Sequence, residues 1–178
     1  MKLVAVSIVK NEADIIEVFV RHTRAWVDLH LVFDHDSTDG TREILAELVK
    51  EGWPLLVFTG DSVANLQQQR SNHLARLAFT EHGADWVLPL DADEILVATD
   101  RKELERLLTE SPLESPVSVL LRNYSPSTED NLGEKNPVRR ICHRNPGPGT
   151  TSKIFVPRSL GLRNEIAAGK GNHALYRG

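Results

Sequence analysis

The run Leu3-Val-Ala-Val-Ser-Ile-Val9 constrains the fold more than any other segment of this chain. It is apolar and β-branched at consecutive rather than alternate positions, so as a strand it needs cover on both faces. Strands of that kind belong to parallel sheets flanked by helices. The remainder of the chain supplies both parts. Leu29–Phe33, Trp53–Thr59, Trp86–Leu90 and Val117–Leu121 read as further strands, and Lys153–Pro157 resumes strand character near the end. Between them lie helical spacings: Ile15, Ile16, Phe19 and Trp26; Ile44, Leu45, Leu48 and Val49; the long candidate over 62–82; and Leu104, Leu107 and Leu108 behind a capping-box-like Asp100 and Glu103. The expected fold is α/β, a mostly parallel Rossmann-like sheet with helices on both faces.

Ligands of such sheets bind outside the carboxyl ends of the strands. Polar clusters follow strands one, two and four at that edge: Lys10-Asn-Glu-Ala-Asp14, Asp34-His-Asp-Ser-Thr-Asp-Gly40 and Asp91-Ala-Asp-Glu94. Three segments are therefore expected to converge on one crevice. Ser37, Thr38 and Asp39 are N-cap candidates for the helix that follows the second cluster.

The third cluster carries the most chemistry. Alternate residues of a strand share a face, so Asp91 and Asp93 could present oxygens to one hard cation such as Mg²⁺ or Mn²⁺. By itself Asp-x-Asp is a weak motif, equally compatible with a polar strand end. An acidic pair beside an apolar strand also requires something positive to neutralise it.

At 178 residues the chain is expected to be one domain, 1–178, with no internal repeat. A formal net charge of −4 and no run of Lys and Arg argue against nucleic acid as a partner. The single cysteine, Cys142, excludes an intrachain disulfide framework. Neither a signal-peptide core before Lys10 nor an uncharged stretch of the roughly 18 residues of a membrane span is visible, so the expectation is a cytoplasmic protein. Residues 123–151, rich in Pro, Gly, Asn and Ser, are expected to be an irregular functional or mobile loop.

Taken in order, Val6-Ser-Ile-Val-Lys-Asn-Glu12, Phe33-Asp-His-Asp-Ser-Thr-Asp-Gly-Thr41, Trp86 to Leu96 with its Asp91-Ala-Asp93-Glu94, and Gly171-Asn-His173 resemble the family 2 glycosyltransferases, and most closely a bacterial subgroup whose first motif reads Lys-Asn-Glu. The resemblance runs from residue 2 to about residue 176. It implies a GT-A fold, a UDP- or GDP-sugar donor across the carboxyl edge of the sheet, a Mn²⁺ or Mg²⁺ cofactor, transfer to a hydroxyl of a glycan or other acceptor, and inversion. Carried over by position, Asp34 corresponds to the acid that contacts the nucleoside, although capping the next turn is an alternative. Ser7 and Asn11 or Glu12 would line the same edge near base or ribose. Asp91 would approach the ribose or the metal, and Asp93 would be the direct metal ligand. Glu94 would support them or be solvated. Arg70 is a candidate for the nucleotide or phosphate side, or else a surface ion-pair partner. His173, in a polar turn, is either a further metal ligand or structural. Asp36 departs from the smaller or amide residue usual there.

Inverting transfer also needs a carboxylate base. Glu129, Asp130 and Glu165 are the candidates, but the family's usual Glu-Asp element is not recognisable at its usual distance. That leaves a nucleotide- or glycan-binding domain without transferase activity as an alternative. A sugar nucleotidyltransferase is a further one, disfavoured because Val9-Lys-Asn-Glu-Ala has no phosphate-cradling glycine. The chain stops at Arg177-Gly178, directly after the last motif, so either the domain is minimal or more protein follows.

Overall fold

A computed structural model describes residues 1–60, 67–147, 151–163, 166–168 and 175–177. In chain order the elements are β1 (Leu3–Val9), α1 (Ile16–Thr23), β2 (Leu29–Asp34), α2 (Thr41–Lys50), β3 (Leu55–Thr59), α3 (Gln67–Thr80), β4 (Trp86–Pro89), α4 (Arg101–Glu110), β5 (Val117–Leu120), α5 (Pro137–Arg140), β6 (Ser152–Pro157), α6 (Arg158–Gly161), β7 (Ile166–Ala168) and β8 (Leu175–Arg177). The main sheet has the order β3-β2-β1-β4-β6-β5. Its first four strands are parallel, whereas β6 runs antiparallel to β4 and β5 antiparallel to β6. Strands β7 and β8 pair separately.

The consecutive apolar residues of β1 divide between two cores, as a doubly covered strand requires. Leu3, Ala5 and Val9 face one side, with Phe19 of α1, Leu45 of α2 and Leu104 and Leu108 of α4. Val4 and Val6 face the other, with Leu74, Ala78 and Phe79 of α3 and Leu160 of α6. Each fully buried Leu or Phe contributes roughly 1.5–3 kcal/mol. Among the described residues no helix is long and apolar enough to cross a membrane.

Several local expectations change. The N-cap of α2 is Gly40, at φ +101°, and none of Ser37, Thr38 and Asp39 serves as that cap. Those side chains are engaged across the crevice instead. The third strand begins at Leu55 rather than Trp53, because Pro54 offers the ladder only its carbonyl, which accepts from the His30 amide at 2.9 Å. The fourth strand stops at Pro89, so Asp91 and Asp93 occupy a turn rather than one face of a strand. Asp100 does cap α4, accepting from the Glu103 amide at 2.8 Å. The part of the long helix expected over 62–66 lies outside the described residues. The 123–151 connection holds α5, several turns and a bridge between Tyr124 and Arg144.

Candidate active site at the carboxyl edge of the sheet

Strands β1 and β2 end side by side, with Val9 opposite Asp34. The loops beyond them are stitched together by Asn11, whose φ of +56° turns the chain toward its neighbour. Its amide donates to Ser37 Oγ at 2.9 Å, and its side-chain carbonyl accepts from the Thr38 amide at 2.8 Å. The Glu12 amide donates to Thr41 Oγ1 at 2.8 Å and the Ala13 amide to Asp39 Oδ2 at 3.0 Å. Ser37 Oγ and Asp39 Oδ2 thus serve the neighbouring loop's backbone, while Asp39 Oδ1 also accepts from the Thr41 amide at 3.1 Å and its hydroxyl at 2.6 Å at the start of α2.

Asp34 closes β2 and is fully buried. Oδ2 receives Arg42 Nε at 2.9 Å and Nη2 at 2.8 Å, and Oδ1 accepts from the Ser37 amide at 3.3 Å. Arg42 also reaches Asp36 at 3.6 Å. One residue earlier, the Phe33 ring carries the Arg70 guanidinium 4.6 Å from its centroid, which places Arg70 beside the same strand end.

The β4 side contributes the acidic turn. Glu94 N donates to Asp91 O at 3.0 Å, and Asp91 N donates to Glu94 Oε2 at 3.0 Å. Buried Lys153 of β6 places its ammonium 2.6 Å from Asp91 Oδ2 and 3.1 Å from Glu94 Oε2. Burial pushes the Glu94 carboxyl above its ordinary range even though the Asp91 amide and the Lys153 ammonium act against it. Asp93 is exposed and lines a cleft of about 540 Å³ together with Glu94, Lys153, Val97, Leu120 and Tyr124.

The two sides meet electrostatically. Glu12 is pushed up first by burial and next by the charge of Asp93, with smaller contributions from Asp14, Asp39 and Asp91. The loop after β1 and the turn after β4 therefore share one negative field, as the convergence of clusters implied.

Not every expected residue is at the edge. Ser7 lies two residues before the end of β1, is buried, and shares a 2.9 Å hydrogen bond with His30; its hydroxyl faces the interior of the sheet. Asp130 Oδ2 accepts from the Ser127 amide at 2.8 Å and the exposed Glu129 donates its own amide to Ser127 Oγ at 3.2 Å; neither is among the described residues that line the cleft. Glu165 and His173 lie outside the described residues.

Two charged residues were missed by the sequence reading. Lys153 had a signal, a lone ammonium in the apolar run Lys153-Ile-Phe-Val, and it answers the requirement for a positive neutraliser. Arg42 had none beyond its place in the first turn of α2.

The donor set suits a hard cation, since Asp91 and Asp93 offer only carboxylate oxygens. Among the described residues no group of three His, Cys, Asp or Glu side chains could hold a metal by itself. The fit is therefore to a Mg²⁺- or Mn²⁺-like ion that takes its other ligands from phosphate and water.

The GT-A arrangement seen here has counterparts among solved structures. TarS of S. aureus superposes with a TM-score of 0.58 at 14% identity, over 98% of this chain and 31% of that one. A mannosyltransferase of Pyrobaculum calidifontis, PcManGT, solved with GDP-Man and Mn²⁺, gives 0.49 at 19% identity over 70% and 36%. A 4-diphosphocytidyl-2C-methyl-D-erythritol synthase of Anaerococcus prevotii gives 0.46 at 11% identity over 89% and 73%. Of these three, the TarS likeness is the one close enough to bear on the fold. This chain spans about a third of the length of TarS and of the mannosyltransferase. No curated protein sequence matches it significantly. Residues 5–163 match the family described as Glycosyl transferase family 2, so with the strand order and the acidic edge in view, the chain belongs to glycosyl transferase family 2 and carries that family's domain.

Proposed function

We propose that this chain transfers a sugar, with inversion, from a UDP- or GDP-sugar to a hydroxyl of a glycan or other acceptor, with Mn²⁺ or Mg²⁺ held at the acidic turn. The observation that supports this most is the placement of the Asp91–Glu94 turn at the carboxyl edge of the parallel strands, beside the loops that follow β1 and β2, with exposed Asp93 lining the cleft. Departure of a nucleoside diphosphate concentrates negative charge on its phosphates, and a cation fixed there supplies Lewis-acid stabilisation of that charge. Asp93, exposed at the mouth of the cleft, is the direct ligand in this reading, with Asp91 behind it. Arg70 and the Asp34–Arg42 pair lie on the nucleoside side, where Asn11 and Glu12 fix the loop. Because Asp34 is covered by Arg42, Arg42 is the group of that pair which a nucleoside meets first.

The acceptor is placed in the cleft lined by Asp93, Glu94, Leu120 and Tyr124. Glu129 or Asp130 acts as base in this reading only after the turn around Ser127 opens. Glu165 remains the other candidate for proton removal, and His173 a candidate metal ligand. The self-contained Glu129–Asp130 turn is also what favours a second reading, nucleotide binding without transfer.

Calorimetric titration with UDP and GDP, with and without Mn²⁺, tests the first reading. Binding tighter than millimolar that depends on the metal is expected, and its absence for both nucleotides and for their sugar conjugates would sink the proposal. Metal-dependent binding with no donor hydrolysis or transfer across a broad acceptor panel would select the second.

A further inference from the structure

Lys153 is a buried charged group of the site to which the proposed reaction assigns no step. It stands in β6, opposite Val119 of β5, with its side chain 2% exposed, and delivers its ammonium to Asp91 Oδ2 and Glu94 Oε2. The Glu94 oxygen that meets the ammonium also accepts from the Asp91 amide, so cation, carboxylates and backbone form one closed arrangement. A buried ammonium stripped of its partners is costly, and a divalent ion on Asp91 would sit close to that ammonium with like charge. Asp93, two residues on, is exposed at the cleft.

We infer that Lys153 is a positioning residue that keeps Asp91 as its own counter-ion, so that the acidic turn offers a divalent cation the single carboxylate of Asp93 until diphosphate oxygens complete the coordination. The inference rests on the proposed donor site. It makes metal binding conditional on nucleotide: the ion alone is held weakly, and the two enter together. Lys153 also fixes the direction of the Asp91–Glu94 turn, which without it would carry two adjacent carboxylates and no cation.

The probe is Mn²⁺ alone, titrated into the full chain and followed by water-proton relaxation. The double variant Lys153→Met/Glu94→Gln leaves the formal charge of the arrangement unchanged while releasing Asp91. It is expected to bind Mn²⁺ at least about ten-fold more tightly than the native chain, because the number of charged ligands sets affinity. Adding Asp91→Asn should remove that gain. In the native chain, Asp91→Asn should leave the weak binding within about two-fold, whereas Asp93→Asn should reduce it several-fold. No gain in the double variant, or equal losses from Asp91→Asn and Asp93→Asn, would overturn the inference. If the double variant does not fold, the two single Asn variants decide. Titration of the native chain with GDP or UDP at fixed Mn²⁺ is read separately. Failure there alone removes the donor-site reading, and a failed variant series with intact nucleotide binding removes only the role of Lys153.

Discussion

Ser7 Oγ and His30 Nε2 lie 2.9 Å apart in the interior of the sheet, where the serine is 2% and the histidine 3% exposed. The ring meets Phe19 edge-on at 5.3 Å, and its Nδ1 has no hydrogen-bond partner among the described residues. An imidazolium would need acceptors for two N–H groups and finds one, so burial pushes the pKa down to about 3.

Acid should therefore unfold the protein partly through His30. Below the ordinary histidine value the unfolded chain binds a proton that the folded chain refuses, so stability falls as pH falls, from about 6.5 toward about 3, by up to about 1.4 kcal/mol per pH unit from this residue. Denaturant midpoints taken between about pH 7 and about pH 5 should decline more steeply in the native chain than in His30→Gln. Parallel declines would count against a buried neutral ring.

Asn11 should be intolerant of Ala for two reasons at once. A Cβ-bearing residue without a short amide is strained at φ +56°, and the Thr38 amide loses its acceptor. Asn11→Ala is expected to cost about 1–3 kcal/mol, with Asn11→Gly costing less because only the hydrogen bond is lost. Equal losses for the two variants, measured by urea unfolding, would show that the backbone conformation contributes nothing.

Gly161 ends α6 against the Phe79 ring of α3, and a Cβ there would overlap the ring. Both faces of that contact are packed, so Gly161→Ala should destabilise by about 1–3 kcal/mol, and Phe79→Leu in the same chain should recover part of the loss. Independent, additive losses in thermal unfolding would argue that the two residues are not coupled.

Asp93→Asn should fold as the native chain does, or slightly better, because it removes one charge from the field felt by Glu12. Its stabilisation by Mn²⁺ with GDP or UDP should shrink sharply, since an anionic ligand becomes a neutral donor. Thermal-shift curves with an undiminished metal-dependent increment would show that Asp93 is only a polar loop residue.

The strands, their order of appearance and the acidic edge were legible because apolar runs and breakers act locally. Leu3–Val9 announces its double burial in its own composition, and Asp34 and Asp91 mark strand ends by where the apolar runs stop. Ser7 was put at the edge by the resemblance alone; the strand read over Leu3–Val9 already leaves it two residues short of the end, and its pairing with His30 of β2 is set by the approach of two strands. Ser37, Thr38 and Asp39 look like caps; Asp39 does reach Thr41 locally, but all three also bond to residues of the loop after β1, which no local pattern shows. The pairings of Arg42 with Asp34 and of Lys153 with Asp91 are set by the approach of separate elements.

The connection between β5 and β6 leaves and rejoins the sheet through a narrow neck, with Leu121 N bonded to Thr151 O, Asn145 N to Asn123 O, and Tyr124 bridged to Arg144. Segments inserted beyond that neck extend a closed excursion, and each doubling of its length costs only about 0.6 kcal/mol. The register that presents Lys153 is set at Val117–Leu120 and is untouched by such growth. The tip of this excursion can thus diverge by insertion and drift while the acidic turn keeps the same countercharge.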